Sequence, residues 1–129
     1  MVAVQRSQKN ILKKRAEFIN AAKGHYIPRR AFVMQRNAIK GERRDQFGVG
    51  FTVTKKLGNA VLRNRARRRL REAISHTDDR LFEKSYDYVL VGRSDALTIE
   101  FSSLCADIET TLKKFTRGEG RQARPRKIK

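Results

Sequence analysis

Hydrophobic and polar positions along this chain follow two periods, and the switches between them mark its elements. Residues 47–54, FGVGFTVT, keep a period of two. Phe47, Val49, Phe51 and Val53 share one face, and Gly48, Gly50, Thr52 and Thr54 share the other, which predicts a strand. The second face is nearly bare of side chains, so another backbone or a ligand can approach it closely. Residues 30–37, RAFVMQRN, predict a second strand, with Phe32 and Met34 on one side and Ala31, Val33 and Gln35 on the other. Residues 86–92, YDYVLVG, predict a third. Its YVLV centre is apolar on both faces, as in a strand covered on both sides.

Helical spacing governs the rest. In residues 11–23, ILKKRAEFINAAK, Leu12, Ala16 and Ile19 recur at three- and four-residue intervals, and Phe18 and Ala22 form a second pair. Gly24 predicts the stop, and Pro28 bars a continuation. A second helix follows Gly58-Asn59, with Asn59 as N-cap. Its apolar stripe is Leu62, Ala66, Leu70, Ala73 and Ile74, and it ends near residues 75–77, before Asp78-Asp79. A third runs from about Thr98 to Thr116 on Phe101, Leu104, Cys105, Ile108, Leu112 and Phe115. The polar stretch 38–46 reads as a hairpin connection longer than two residues. Residues 1–10 read as a flexible N-terminus, 11–116 as one folded domain, and the basic 117–129 as a disordered tail. The expected order is α-β-β-α-β-α. This is an α+β single domain, a sandwich in which helices cover one small sheet, and 129 residues suit it.

Charge narrows the function. Thirty-one Lys and Arg against 13 Asp and Glu give +18, which in so small a domain points to a nucleic acid or an anionic membrane. No apolar run approaches the roughly 18 residues of a spanning helix. The first residues, MVAVQRSQKN, lack the apolar stretch of a signal peptide. A single cysteine, Cys105, allows no intrachain disulfide and fits a reducing cytosol. The expectation is a cytoplasmic, polyanion-binding protein with no membrane partner.

The basic residues are concentrated. Residues 55–71, KKLGNAVLRNRARRRLR, hold eight Lys or Arg in seventeen positions, and no acid occurs until Glu72. An ordinary solvated helix face mixes signs, whereas like charges at i,i+4 repel. Asn64, Arg65, Arg67, Arg68 and Arg71 fan over the side opposite the apolar stripe. The planar fork of arginine suits phosphate and stacks on bases. Contact with six to eight phosphates implies a log K against log salt slope of about −5 to −7. A DNA recognition helix follows another helix across a short turn, whereas this one follows a strand. Nearly all its bulky exposed positions are Arg, which favours backbone contact over base readout. Structured RNA is therefore the preferred partner.

No catalytic centre is apparent. His25 and His76 lack partners at metal-ligand spacing. Cys105 lies on an apolar stripe, as a packed thiol does. Asp78 and Asp79 are adjacent and diverge, which suits a helix end. Glu17 and Glu72 sit among basic residues, where local ion pairs are expected. Gly48 and Gly50 match no phosphate-loop fingerprint. Any chemistry is expected from another component.

The string KKLGNAVLRNRARRRLREAI after FGVGFTVT resembles the signature of the bacterial ribonuclease P protein component. An alternating strand runs into Lys-Lys, then Gly-Asn-Ala-Val, then an Arg-Asn-Arg helix, here Arg63-Asn64-Arg65 followed by Arg67, Arg68 and Arg71. The resemblance extends from about residue 11 to 115. It implies a fold like a domain of a small-subunit ribosomal protein and of elongation factor G, with a left-handed βαβ crossover, against the usual handedness. It implies a monomeric protein that binds a large catalytic RNA, with which it removes the 5′ leader of precursor tRNA. The RNA and its Mg2+ would perform the hydrolysis, so the protein itself would bind no cofactor or metal. Lys55, Lys56 and the Arg-Asn-Arg helix would face the catalytic RNA. A cleft between the first helix and the sheet would hold the single-stranded leader, lined by Phe18, Val33 and Gln35. The bare Gly48/Gly50/Thr52 face would give that strand room. Two departures bear on the cleft: relatives often carry a second aromatic one turn after Phe18, where this chain has Ala21 and Ala22, and some carry an aromatic at Gln35. Phe18 reads equally well as plain core. The alternative function is a ribosomal or RNA-chaperone protein on the same fold.

Overall fold

The computed structural model describes residues 10–39 and 46–123; of the expected flexible N-terminus 1–10, residues 1–9 lie outside that range, and Asn10 belongs to a strand. The described residues form one mixed sheet and three α-helices. The strands are β1 (Asn10–Ile11), β2 (His25–Pro28), β3 (Phe32–Ala38), β4 (Gly48–Val53), β5 (Tyr86–Gly92) and β6 (Arg121–Gln122). The helices are α1 (Arg15–Ala22), α2 (Ala60–Ser75) and α3 (Phe101–Thr116). The spatial order is β1-β4-β5-β3-β2-β6.

β5 takes the centre. It pairs parallel with β4 and antiparallel with β3. Tyr88, Val89 and Leu90 are all at most 1% exposed, as a strand apolar on both faces requires. The expected hairpin between β3 and β4 is therefore absent, because β5 lies between them. Of the connection expected at 38–46, residues 40–45 lie outside the described range.

The two faces of the sheet have different covers. Phe32 and Met34 of β3, Val49, Phe51 and Val53 of β4, and Tyr88 and Leu90 of β5 pack with Ala66, Leu70, Ala73 and Ile74 of α2 and Leu104, Ile108, Leu112 and Phe115 of α3. The alternation along β3 and β4 and the stripes of α2 and α3 are thus as the pattern predicts. α2 begins at its predicted cap, where Asn59 Oδ1 accepts from the Leu62 amide at 3.0 Å. Before it, Gly58 has φ +146°, and a Cβ there would sit 2.7 Å from Leu62 Cδ1, so only glycine fits this entry. α3 starts three residues later than expected, after a 3-10 turn at Ser94–Leu97.

The opposite face departs from the sequence reading. The helix expected over 11–23 is shorter, and its start is extended instead. Residues 10–11 form the edge strand β1, and the Leu12 amide donates to the Val49 carbonyl at 2.9 Å. Ala16 and Ile19 are exposed, while Leu12 and Ala21 are buried against Val89, with Phe18 and Val91 packed beside them. The glycines of β4 decide this. A Cβ on Gly48 would meet both Leu12 and the Asp87 carboxylate at 2.4 Å, and one on Gly50 would meet the Phe18 ring at 2.8 Å. The bare strip of β4 is thus filled by Leu12, Asp87 and Phe18 and leaves no room over Gly48 and Gly50 for a ligand.

Two strands escaped the periodicity reading. β2 pairs antiparallel with β3, and only Ile27 in it is buried. β6 pairs with β2, and the Ala123 amide donates to the Gly24 carbonyl at 2.9 Å. Residues 117–123 of the expected disordered tail are therefore ordered. The open edge of β2 supplies backbone groups that a polar segment can satisfy without burying side chains. Residues 124–129 lie outside the described range.

Replacing Gly50 with valine should drive the Phe18 ring off the sheet. We expect a loss of about 1–3 kcal/mol in urea unfolding, as for overpacked core positions. An unchanged midpoint would mean that Phe18 does not depend on this hollow.

Candidate nucleic-acid interface

Fixing the apolar stripe of α2 on the sheet points its charged side to solvent. Asn64, Arg65, Arg68 and Arg71 are exposed, and Arg63 and Arg67 are half-buried. Lys55 and Lys56, both exposed, form the 3-10 turn Lys55–Leu57 that leads into the helix. The eight residues expected to meet catalytic RNA thus form one continuous surface. Asn64 Oδ1 accepts from Arg67 Nη1 at 2.8 Å, so the asparagine aims an arginine. Arg71 lies over the Phe51 ring, 6.0 Å from its centroid. Among the described residues, none of Arg63, Arg65, Arg67, Arg68 or Arg71 is paired with a carboxylate.

Arg69 differs from its neighbours. Its Nη1 donates to the Ala96 carbonyl at 2.7 Å and its Nη2 to the Ile99 carbonyl. It ties the middle of α2 to the segment before α3, and so it holds the rotation of the arginine face.

A groove lies on the other side of the sheet. The strand registers align Thr52, Val91, Val33 and Pro28 in one row across β4, β5, β3 and β2. All four are half-buried. The next row toward α1 is Gly50, Val89, Gln35 and Tyr26, with Phe18 seated on Gly50. Phe18 is half-buried beside this row. The expected cleft residues Phe18, Val33 and Gln35 therefore lie on one face, between α1 and the end of the sheet. At that end a hollow of ≈ 430 Å³ is lined by Val33, Val91, Thr54, Lys56 and Arg93 among others. Val91 and Arg93 were not among the expected site residues. The alternation of YDYVLVG puts Val91 on the face of Val89, but only the pairing of β5 with β3 brings it beside Val33. Lys56 borders both the hollow and the start of α2, so the groove and the arginine face meet there.

The titratable candidates have structural roles. The Glu17 carboxylate accepts from the Lys14 amide and caps α1. Glu72 faces His76 one turn on at 3.3 Å, and the His76 ring meets Phe101 edge-on. Asp78 accepts from the Arg80 amide and pairs with its guanidinium. Burial, then the nearby Glu109 charge, pushes the Cys105 thiol up, away from a nucleophilic thiolate. Arg36 is buried between the Tyr86 and Phe115 rings and donates to Glu83 and to the Phe115 carbonyl. Burial opposes its charge, but bonds to Tyr88 and Glu83 outweigh this and hold its pKa above the usual arginine value. Among the described residues no three His, Cys, Asp or Glu come together as a metal site, and no helix is long and apolar enough to cross a membrane.

Comparison with known proteins bears directly on this surface. The sequence profile described as Ribonuclease P matches residues 7–116. The chain belongs to the ribonuclease P protein family. It is 44% identical over 104 residues to the ribonuclease P protein component of Gluconacetobacter diazotrophicus, covering 80% of this chain and 88% of that one. It is 41% identical over 132 residues to that of Brucella suis, covering 95% and 91%. Among solved structures it resembles the Staphylococcus aureus RNase P protein, with TM-score 0.63 and 30% identity over 84% of this chain and 94% of that one. The Thermotoga maritima RNase P protein shares the fold at TM-score 0.66 and 22% identity, over 81% and 96%. Family membership sets aside the ribosomal and chaperone alternative. The arginine face and the groove both lie within the matched span.

Arg69→Met should cost about 1–3 kcal/mol, because two carbonyls lose their donor. Arg68→Ala should stay within about 0.5 kcal/mol of the parent, as at other exposed sites. Thermal unfolding of the two variants checks both. Equal losses would mean that the arginine run has no division of labour.

Proposed function

We propose that this chain is the RNA-binding subunit of ribonuclease P, in which a catalytic RNA removes the 5′ leader of precursor tRNA. The carrying observation is the pair of surfaces on opposite sides of one sheet. One is an arginine face with no paired carboxylate among the described residues, and the other is an apolar-floored groove with a basic end.

Arg63, Asn64, Arg65, Arg67, Arg68 and Arg71, with Lys55 and Lys56, hold the phosphates of the catalytic RNA. Their charge replaces counterions that two RNAs would otherwise compete for, and so lowers the magnesium that assembly requires. The groove holds the single-stranded leader. Phe18 offers part of a ring for stacking, Val33 and Val91 form the apolar floor, and Gln35 supplies a hydrogen-bonding amide. One stacked base contributes about 1–3 kcal/mol. Ala21 is fully buried on the sheet, so the turn after Phe18 offers no second ring. The RNA, with its Mg2+, carries out the hydrolysis. We assign the protein no catalytic residue and no metal of its own. We also place it in the cytoplasm as a single copy beside the RNA. The likeness to a ribosomal-protein and elongation-factor-G domain, and a left-handed sense for the β4–α2–β5 crossover, belong to the same reading and rest on resemblance.

Adding the protein to a bacterial ribonuclease P RNA at low magnesium should restore cleavage of precursor tRNA. No gain would overturn the proposal. In that assembly Arg68→Ala or Asn64→Ala should weaken RNA affinity while leaving the unfolding midpoint in place. A large stability loss would instead make these residues structural. Phe18→Ala should weaken binding of precursor tRNA by about tenfold and of mature tRNA much less. Equal losses for both would remove the leader from the groove.

A further inference from the structure

The groove does not end at β2. Pro28 closes the apolar row, and it also lines a second hollow of ≈ 330 Å³ with Arg29, Arg30, Arg93 and Asp107. Arg93 lines both hollows, so they adjoin at the end of the sheet. Three inter-strand spacings separate β4 from β2, about 14 Å, which is the reach of a few nucleotides of extended strand.

The second hollow is built for an anion. Arg29 Nη2 pairs with Asp107 Oδ1 at 2.8 Å, and Arg30 Nε pairs with Asp95 Oδ2 at 3.0 Å. Arg93 Nη1 donates to the Arg29 carbonyl at 3.1 Å and is paired with no carboxylate among the described residues. Three guanidiniums against two carboxylates leave a charge of +1. That balance matches one phosphodiester. Each aspartate engages one edge of its arginine and holds it in place, while other N–H groups of the fork remain for a phosphate. The Arg29 and Asp107 side chains are only 22% and 27% exposed, so this pair is a fixed support.

We propose that Arg29, Arg30 and Arg93 form a phosphodiester subsite for the part of the leader beyond the groove. This rests on the groove reading. With the cut end near Lys56, the strand crosses β4, β5 and β3, passes Pro28, and places a more distal phosphate among the three arginines. Leaders long enough to reach β2 then gain an ionic contact that short leaders lack.

The test uses the reconstituted holoenzyme and two precursor tRNAs, one with a leader confined to the groove and one extended past it. Arg29→Gln and Arg30→Gln should each weaken binding of the long-leader precursor by about threefold to tenfold, as for a lost charged hydrogen bond. Each should reduce the salt slope by about one. Neither should change binding of the short-leader precursor. Arg30 is 76% exposed and paired only at the surface, so Arg30→Gln carries the test if Arg29→Gln lowers stability. Equal losses for both leaders would assign the arginines to the catalytic RNA or the tRNA body and overturn the subsite. Unchanged long-leader binding, with Phe18→Ala still weakening the short-leader complex, overturns the subsite alone. Loss of the Phe18→Ala effect overturns the groove and the subsite together.

Discussion

A strand that is apolar on both faces has to be covered on both, and β5 sets that requirement for the whole molecule. Tyr88 and Leu90 face α2 and α3, and Val89 faces α1. Burial of that strand places it between β3 and β4, and this makes β4–α2–β5 a parallel crossover. α2 is therefore pinned to one face along its whole apolar stripe, and the arginines opposite that stripe point outward, while Arg69 turns onto the carbonyls of Ala96 and Ile99. On the other face α1 is too short to cover the sheet. It covers the rows near its own end, and the row Thr52–Val91–Val33–Pro28 is left half-open. One buried strand thus separates the two candidate surfaces, which meet at the end of the sheet near Lys56.

The few acids in the chain sit where they do the least harm to that arrangement. Glu83 answers the buried Arg36, Asp107 answers Arg29, Asp95 answers Arg30 and Asp78 answers Arg80. All four pairs lie off the exposed side of α2, and those of Arg36 and Arg29 are the more buried ones. Arg36 shows the stronger form, with its guanidinium between two rings and bonded to the C-terminal end of α3. The arginines of α2, by contrast, repel one another in the free protein. That repulsion is relieved when a polyanion binds, so RNA binding and stability of the folded chain are linked. Arg69 bears on both, since carbonyls rather than an acid hold it and it keeps its charge within the same helix.

Much of this was legible in the chain. The spacing from Leu62 to Ile74, the Asn59 cap and the acid-free run defined α2 and its exposed side, because helical periodicity and like-charge repulsion are local properties. YDYVLVG announced a doubly covered strand for the same reason. What local patterns could not carry was the partner of each surface. Tertiary packing determined that Leu12 and Phe18 fill the gaps over Gly48 and Gly50, since a hole in a strand shows its size in sequence but not its occupant. It also exposed Ile19 and buried Ala21, because the helical stripe of so short a helix is too weak to choose its own face. β2 and β6 exist because an edge offers unpaired backbone groups, which no side-chain period records. Val91 stands beside Val33 only because β5 entered between β3 and β4. The chemistry of the interface was therefore written in the order of the residues, while its extent was settled by strand order, a non-local choice made by burial.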